Sequence, residues 1–235
     1  MTSRRRPASR AMVAGLLLLT IGFVALGVWQ VERRAWKHAL IAAVDTRAYA
    51  APVTAPGAAL WPLIDASSDA YRRIRVSGRF LYGHDTLVRA VTDLGAGYWV
   101  MTPLDTGSFV VLVNRGFVPL DKRDTVAAAP SGRVTVTGLL RISQPGGAFL
   151  RDNDPAGGLW YSRDVAAIAR ARAIAPIAPY FIDADGALDR PDGPVGGLTV
   201  IRFADNHGAY AVTWFGMALL CLWGMRHVLR ASRPS

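Results

Sequence analysis

Cysteine is nearly absent: the 235-residue chain contains only Cys221. An intramolecular disulfide is therefore excluded, as is any cysteine-based zinc or iron–sulfur site. Other soft ligands are equally scarce. Only Met101, His38 and His84 stand well outside the apolar segments and their ends, too few for a copper-chaperone site. Glutamate occurs once, as Glu32, and charged residues make up only 19% of the chain. No HExxH, GxSxG, Walker or GxGxxG pattern is present. His84 and Asp85 are adjacent, but neighbours on a strand point to opposite faces, so they do not form a catalytic pair. A protein without enzymatic activity is expected, with no catalytic residues.

What the chain does have is apolar residues (51%) and a net charge of +10. The charge is unevenly placed. Arg4, Arg5, Arg6 and Arg10 lie in the first ten residues and Arg226, Arg230 and Arg233 in the last ten, with no acid in either tail. The remainder is nearly balanced, so no broad cationic surface for nucleic acid is implied.

Residues 11–31 (AMVAGLLLLTIGFVALGVWQV) carry no charge, and as a helix this length crosses the ~30 Å hydrocarbon core. The competing reading is a cleaved signal peptide, with 48–50 (Ala-Tyr-Ala) resembling a cleavage site. That triplet lies well beyond the run, past Glu32, Arg33, Arg34 and Lys37, and a signal h-region is shorter, about 7–15 residues. An uncleaved anchor is expected. Residues 207–225 (HGAYAVTWFGMALLCLWGM) form a second candidate span, closed by Arg226. Trp29, Tyr210, Trp214 and Trp223 fall near span ends, where aromatic belts sit.

Both basic tails then share one side, which the positive-inside rule makes cytoplasmic. The expected organisation is a cytoplasmic basic tail (1–10), a transmembrane helix (11–31), an extracytoplasmic domain (32–206), a second transmembrane helix (207–225) and a second cytoplasmic tail (226–235). In a bacterial cell this is a multi-pass protein of the cytoplasmic membrane with a periplasmic domain.

Within that domain, 33–44 read as a helical extension of the first span, and Ala/Pro/Gly-rich 50–62 as a linker. Residues 71–81 (YRRIRVSGRFL) alternate with period two, predicting a half-buried strand. Further strands are predicted at 85–92, 97–104, 109–114 and 133–141, with short ones near 159–162, 180–183 and 198–203. Residues 109–113 (FVVLV) are apolar on both faces, which predicts a central strand. Ser162 is the expected cap of one short helix, with Asp164 in its first turn, and 186–197 form a turn-rich loop. The fold class is therefore a membrane protein of α+β type. Two transmembrane helices flank an antiparallel, β-rich barrel or sandwich of about 140 residues, large enough for its own core.

His207 stands where the exported domain meets the second span, and on a helix Tyr210 and Trp214 share its face. Two readings stand: an axial ligand for haem iron backed by aromatics, or an interfacial histidine beside an aromatic belt. Arg33, Arg34 and Lys37, at the same membrane surface, suit phospholipid head groups or porphyrin propionates. Asn114 and Arg115 follow a buried strand, where satisfying strand-end backbone groups is the simpler role.

Four segments resemble the Surfeit locus protein 1 (Surf/Shy) family of cytochrome c oxidase assembly factors. They are 26–37 (LGVWQVERRAWK); 98–104 (YWVMTPL) with 112–119 (LVNRGFVP); Asn153, Pro155, Trp160, Tyr161, Arg163 and Asp164 with 179–184 (PYFIDA); and 206–215 (NHGAYAVTWF). The resemblance implies two spans around an exported domain and a part in building the haem a centres of oxidase subunit I. It implies haem a as a transient ligand, with His207 as the candidate iron ligand and Tyr210 and Trp214 beside it. It also implies contact with subunit I and with the haem a synthesis machinery. A scaffold that steadies an assembly intermediate without touching haem is the alternative. The chain departs from the family pattern at Asp205, where asparagine is common, and at Gly208, where leucine is common.

Overall fold

No proline occurs between Pro7 and Pro52, so nothing interrupts the helix that the apolar run begins. Helix α1 accordingly runs unbroken over Pro7–Tyr49. The computed structural model describes residues 7–126, 128, 130–148, 150–186, 192–199 and 205–231. Two compact units make up the chain: residues 1–43 with 202–235, and residues 44–201.

The first unit is a pair of helices, most of α1 and α4 (His207–Ala231). Both are long and apolar enough to cross a membrane. Their less exposed residues alternate at spacings of three and four. Over 11–31 of α1 these are Val13, Leu16, Thr20, Phe23, Gly27 and Gln30; on α4, His207, Ala211, Trp214, Ala218, Cys221 and Met225 follow the repeat, with Gly208, Phe215, Gly216, Gly224 and Val228 half-buried beside them. This is the seven-residue repeat that brings two helices together along a narrow seam. Gly27 makes room in it: a Cβ there would lie 2.6 Å from the Phe215 ring.

The second unit is a mixed barrel with a one-turn helix, α2 (Ala66–Asp69), which Asp65 caps. Its strands are β1 (Val53–Thr54), β2 (Arg73–Phe80), β3 (Thr86–Thr92), β4 (Gly95–Asp105), β5 (Val110–Pro119), β6 (Val134–Ile142) and β7 (Ile177–Ala184). They are ordered β1-β2-β6-β7-β5-β4-β3, and a β2–β4 pairing at Arg79 with Asp105 and Phe80 with Leu104 closes the ring. Gly78 allows that closure, because a Cβ there would collide with the Asp105 carbonyl. The expected antiparallel character holds for most pairs but not all: β1–β2 and β5–β7 are parallel. The parallel pair arises because β6 enters the ring between β2 and β7, so that β7 returns alongside β5 after α3 (Val165–Arg172).

Alternation along the strands builds two large cores, with a smaller cluster of Tyr98, Val100 and Val118 beside them. Ile74, Val76, Phe80, Leu104, Val111, Val113, Val136, Leu140, Tyr180 and Ile182 fill the barrel. Leu112, Met101, Val88 and Phe181 face outward beneath α3, against Trp160, Val165 and Ile168. Residues 109–113 are apolar on both faces because β5 borders both cores.

Several local expectations need correction. Residues 50–62 are not a linker. They hold β1 and a 3-10 turn over Ala58–Leu63, and Pro56 carbonyl oxygen accepts from Trp61 Nε1 (3.2 Å) and Tyr180 hydroxyl (2.8 Å). Asp164, not Ser162, caps α3, accepting from Ala167 N–H at 3.0 Å. Ser162 Oγ instead accepts from Gly147 N–H and Asn153 Nδ2. The segment 159–162 makes isolated bridges rather than a strand. Of 198–203, residues 198 and 199 are not in a strand, and the rest lie outside the described residues, as do 187–191 of the turn-rich loop.

Candidate site at the entry of the second helix

Helix α4 begins at His207. Asp205 Oδ1 accepts the His207 N–H at 3.0 Å, satisfying one of the donors a helix start leaves open. The same carboxylate turns its other oxygen to α1. Asp205 Oδ2 lies 2.6 Å from His38 Nε2 and 3.5 Å from Arg34 Nε. The His38 hydrogen bond, then the His207 N–H and the charges of His38 and Arg34, hold the Asp205 carboxyl below its ordinary value, with burial opposing them. The departure from asparagine at Asp205 thus supplies a charge that Arg34 and His38 meet. Gly208 has an equally local reason: a Cβ there would lie 3.3 Å from Arg34 Nη1, tight against the guanidinium.

The His207 ring faces the seam. Its Nδ1 lies 2.7 Å from Gln30 Oε1, and Gln30 is 9% exposed. An amide oxygen only accepts, so Nδ1 is the protonated nitrogen. In the neutral ring Nε2 then carries the lone pair, and it has no hydrogen-bond partner among the described residues. Two turns further along α4, Trp214 stacks on Phe23 at 5.7 Å and 23°. Tyr210 lies at the edge of this face and is 55% exposed. His207 and Trp214 are thus together on the α1-facing seam, and Tyr210 borders it.

The remaining expected residues have defined places. Arg33 packs over the Trp36 ring at 4.2 Å. Asn114 and Arg115 do not follow the strand as expected but lie within β5, which runs on to Pro119; Asn114 Nδ2 donates to Asp183 Oδ1 at 2.8 Å and Asn114 Oδ1 accepts from Gly116 N–H, a structural role inside the sheet. Arg115 is buried. Asp85 accepts from the Thr102 hydroxyl and its carbonyl from Arg172 Nη2, so it belongs to the packing of β3 and α3. Sequence reasoning assigned no role to Gln30, Phe23 or Asp205. The available signal was Gln30 itself, an amide inside an otherwise apolar span, where a polar group needs a partner.

The SURF1 family model matches residues 17–219, which takes in the barrel, most of α1 and the first half of α4. Surfeit locus protein 1 of Rattus norvegicus is 32% identical over 237 residues, covering 92% of this chain and 75% of its own length. The Homo sapiens protein of the same name is 32% identical over 224 residues, covering 86% and 72%. A SURF1-like protein of Monosiga brevicollis is 34% identical over 246 residues, covering 93% and 91%. With the whole barrel, most of α1 and the first half of α4 inside the matched region, the chain belongs to the SURF1 family.

Proposed function

We propose that this protein is a non-enzymatic cytochrome c oxidase assembly factor, which receives or steadies haem a during its insertion into oxidase subunit I. The observation that carries the reading is the His207 imidazole, oriented by Gln30 through Nδ1 and offering Nε2. Haem iron takes a neutral imidazole nitrogen, and a hydrogen bond at the other ring nitrogen fixes the tautomer and raises the ligand's basicity. The surroundings fit a porphyrin cargo. The Phe23–Trp214 stack supplies flat apolar surface, and Tyr210 stands at the seam's edge. Arg33, Arg34 and Lys37 supply cations for propionates, although Asp205 already engages Arg34. His38 is a weaker candidate ligand, because its Nε2 is occupied by Asp205.

In this reading the two helices span the cytoplasmic membrane with both tails inside, and the barrel lies on the periplasmic side. Subunit I and the haem a synthesis machinery are the partners, and membrane lipid surrounds the spans. Reporter fusions after residue 120 are then active outside the cytoplasm and fusions at residue 235 inside; the reverse pattern overturns the topology.

The function is tested in a strain lacking the gene. Oxidase activity and the haem a content of subunit I should fall and return with the wild-type gene, while His207→Ala restores neither fully. Full restoration by His207→Ala would favour the scaffold role, in which the protein holds an assembly intermediate without touching haem. Unchanged oxidase in the deletion strain would end the assembly reading altogether.

A further inference from the structure

The barrel carries a second polar centre, remote in sequence from His207 and built from segments the haem reading does not use. Asp183, on the outer face of β7 and only 4% exposed, accepts four hydrogen bonds. Oδ1 takes Asn114 Nδ2 (2.8 Å) and Arg163 Nη1 (3.1 Å); Oδ2 takes Arg141 Nη1 (2.7 Å) and Thr199 Oγ1 (2.9 Å). The carboxylate is therefore saturated. Each guanidinium spends only one nitrogen on it.

Both guanidiniums are also fixed in place. Arg163 donates from Nε to Gln144 Oε1 and lies over the Phe181 ring at 4.8 Å and Trp99 at 5.9 Å. Arg141 lies over Tyr71 at 4.5 Å. The loop that delivers Arg163 is itself tied down, because Asn153 Oδ1 accepts the N–H groups of Tyr161 and Ser162. Their side chains are 15% (Arg141) and 13% (Arg163) exposed. Arg163 Nη2 and Arg141 Nε and Nη2 nevertheless have no hydrogen-bond partner among the described residues, and none is a buried orphan. Arg141 and Arg163 both line a cleft of about 650 Å³.

Two cations share one saturated anion, which leaves one positive charge facing that cleft. Burial works against the Arg163 charge and Asp183 restores it only in part, so a further anion would relieve the remainder. Asp93 also lines the cleft, but at the exposed β3–β4 turn, where water screens it. The other walls include Trp99, Leu198, and Leu94 and Val91 of that hairpin, the last two exposed. Arg141, with Nε and Nη2 unspent, and Arg163, with Nη2 unspent, suit a carboxylate, and the walls suit an apolar frame.

We propose that this cleft binds a carboxylate carried on a planar apolar frame, with Arg141 and Arg163 as the carboxylate-binding residues and Trp99 under the frame. Porphyrin propionates and aromatic organic acids share this chemistry. The proposal does not rest on the haem reading, since it needs neither iron nor His207.

The test uses the full chain in detergent and saturation-transfer NMR with 3-phenylpropionate, and its neutral amide as control. The acid should bind at least tenfold more tightly than the amide. Arg141→Gln and Arg163→Gln should each lower acid affinity at least fivefold, with His207→Ala leaving it unchanged. Should either arginine variant fail to fold, the acid-against-amide comparison on wild type still decides. Displacement by metal-free deuteroporphyrin, but not by its dimethyl ester, would identify a porphyrin as the source; no displacement would identify a smaller acid. Equal binding of acid and amide, or no binding of either, would overturn the proposal whatever the outcome of haem experiments.

Discussion

Replacing Gln30 by leucine keeps the size and apolar fit of the seam but removes the acceptor for His207 Nδ1–H. The bond is 2.7 Å long and its acceptor residue is 9% exposed, so water replaces it poorly. Leaving a buried donor unmade costs about 1–3 kcal/mol. The imidazole escapes that cost by rotating or by moving the proton to Nε2, and either response removes the lone pair from its aimed position. A partner of a metal-ligating histidine changes affinity by about 10–100-fold when lost. Haem affinity of Gln30→Leu should therefore fall by about one to two orders of magnitude. Gln30→Glu keeps an acceptor and makes it anionic, so it should retain affinity or improve it. The assay is haem titration of the full-length protein in detergent, followed in the Soret band. Wild-type affinity in Gln30→Leu, or an equal loss in both variants, would refute the claim that Gln30 acts by orienting His207.

Other perturbations test the parts around this pair. Asp183→Ala would leave two largely desolvated guanidiniums without their shared buried anion and should cost about 3 kcal/mol of barrel stability, read by chemical denaturation. Tyr180→Phe loses the bond to the Pro56 carbonyl and should cost about 1 kcal/mol. Burial raises the Tyr180 pKa, so its stabilisation is complete below the ordinary tyrosine value of about 10 and is lost as pH climbs beyond it; Tyr180→Phe should flatten that alkaline limb. Asp205 has a lowered pKa, so its contribution is complete above the ordinary aspartate value of about 4 and is lost as pH falls through its folded pKa; the acid loss of helix-pair stability should shrink in Asp205→Asn. Gly138→Val should prevent folding of the barrel, because a Cβ there collides with the Asp183 carbonyl; protease resistance of the expressed protein reads this directly.

Strand positions were legible in the sequence wherever one face was buried. Ile74, Val76 and Phe80 alternate with arginines and serine, and β2 occupies Arg73–Phe80. The double apolar character of 109–113 likewise predicted a central strand, and β5 lies between β7 and β4, although it runs beyond 114 to Pro119. Pairing direction was not legible, because neither local propensity nor alternation says which strand returns beside which. The β5–β7 contact is parallel only through the path of the intervening chain. The stretch 50–62 misled because its proline and glycine content signals a turn, while Pro56 gains its role from Tyr180, 124 residues away. At the candidate site, His207 stood out by its position at a span boundary. Its partner Gln30 lies 177 residues away, and only the antiparallel meeting of α1 and α4 brings them together. The three-and-four spacing that predicts this seam was present in the sequence, hidden in spans apolar on every side.

The central claim is that His207 presents an imidazole to haem iron, and it is most directly tested by the pigment that travels with the protein. Wild-type protein purified in mild detergent from cells making haem a should show a haem a spectrum. His207→Ala, inserted in the membrane at the same level, should lose most of that pigment, whereas His38→Ala should keep it. A colourless wild type, or full pigment in His207→Ala, would contradict the account.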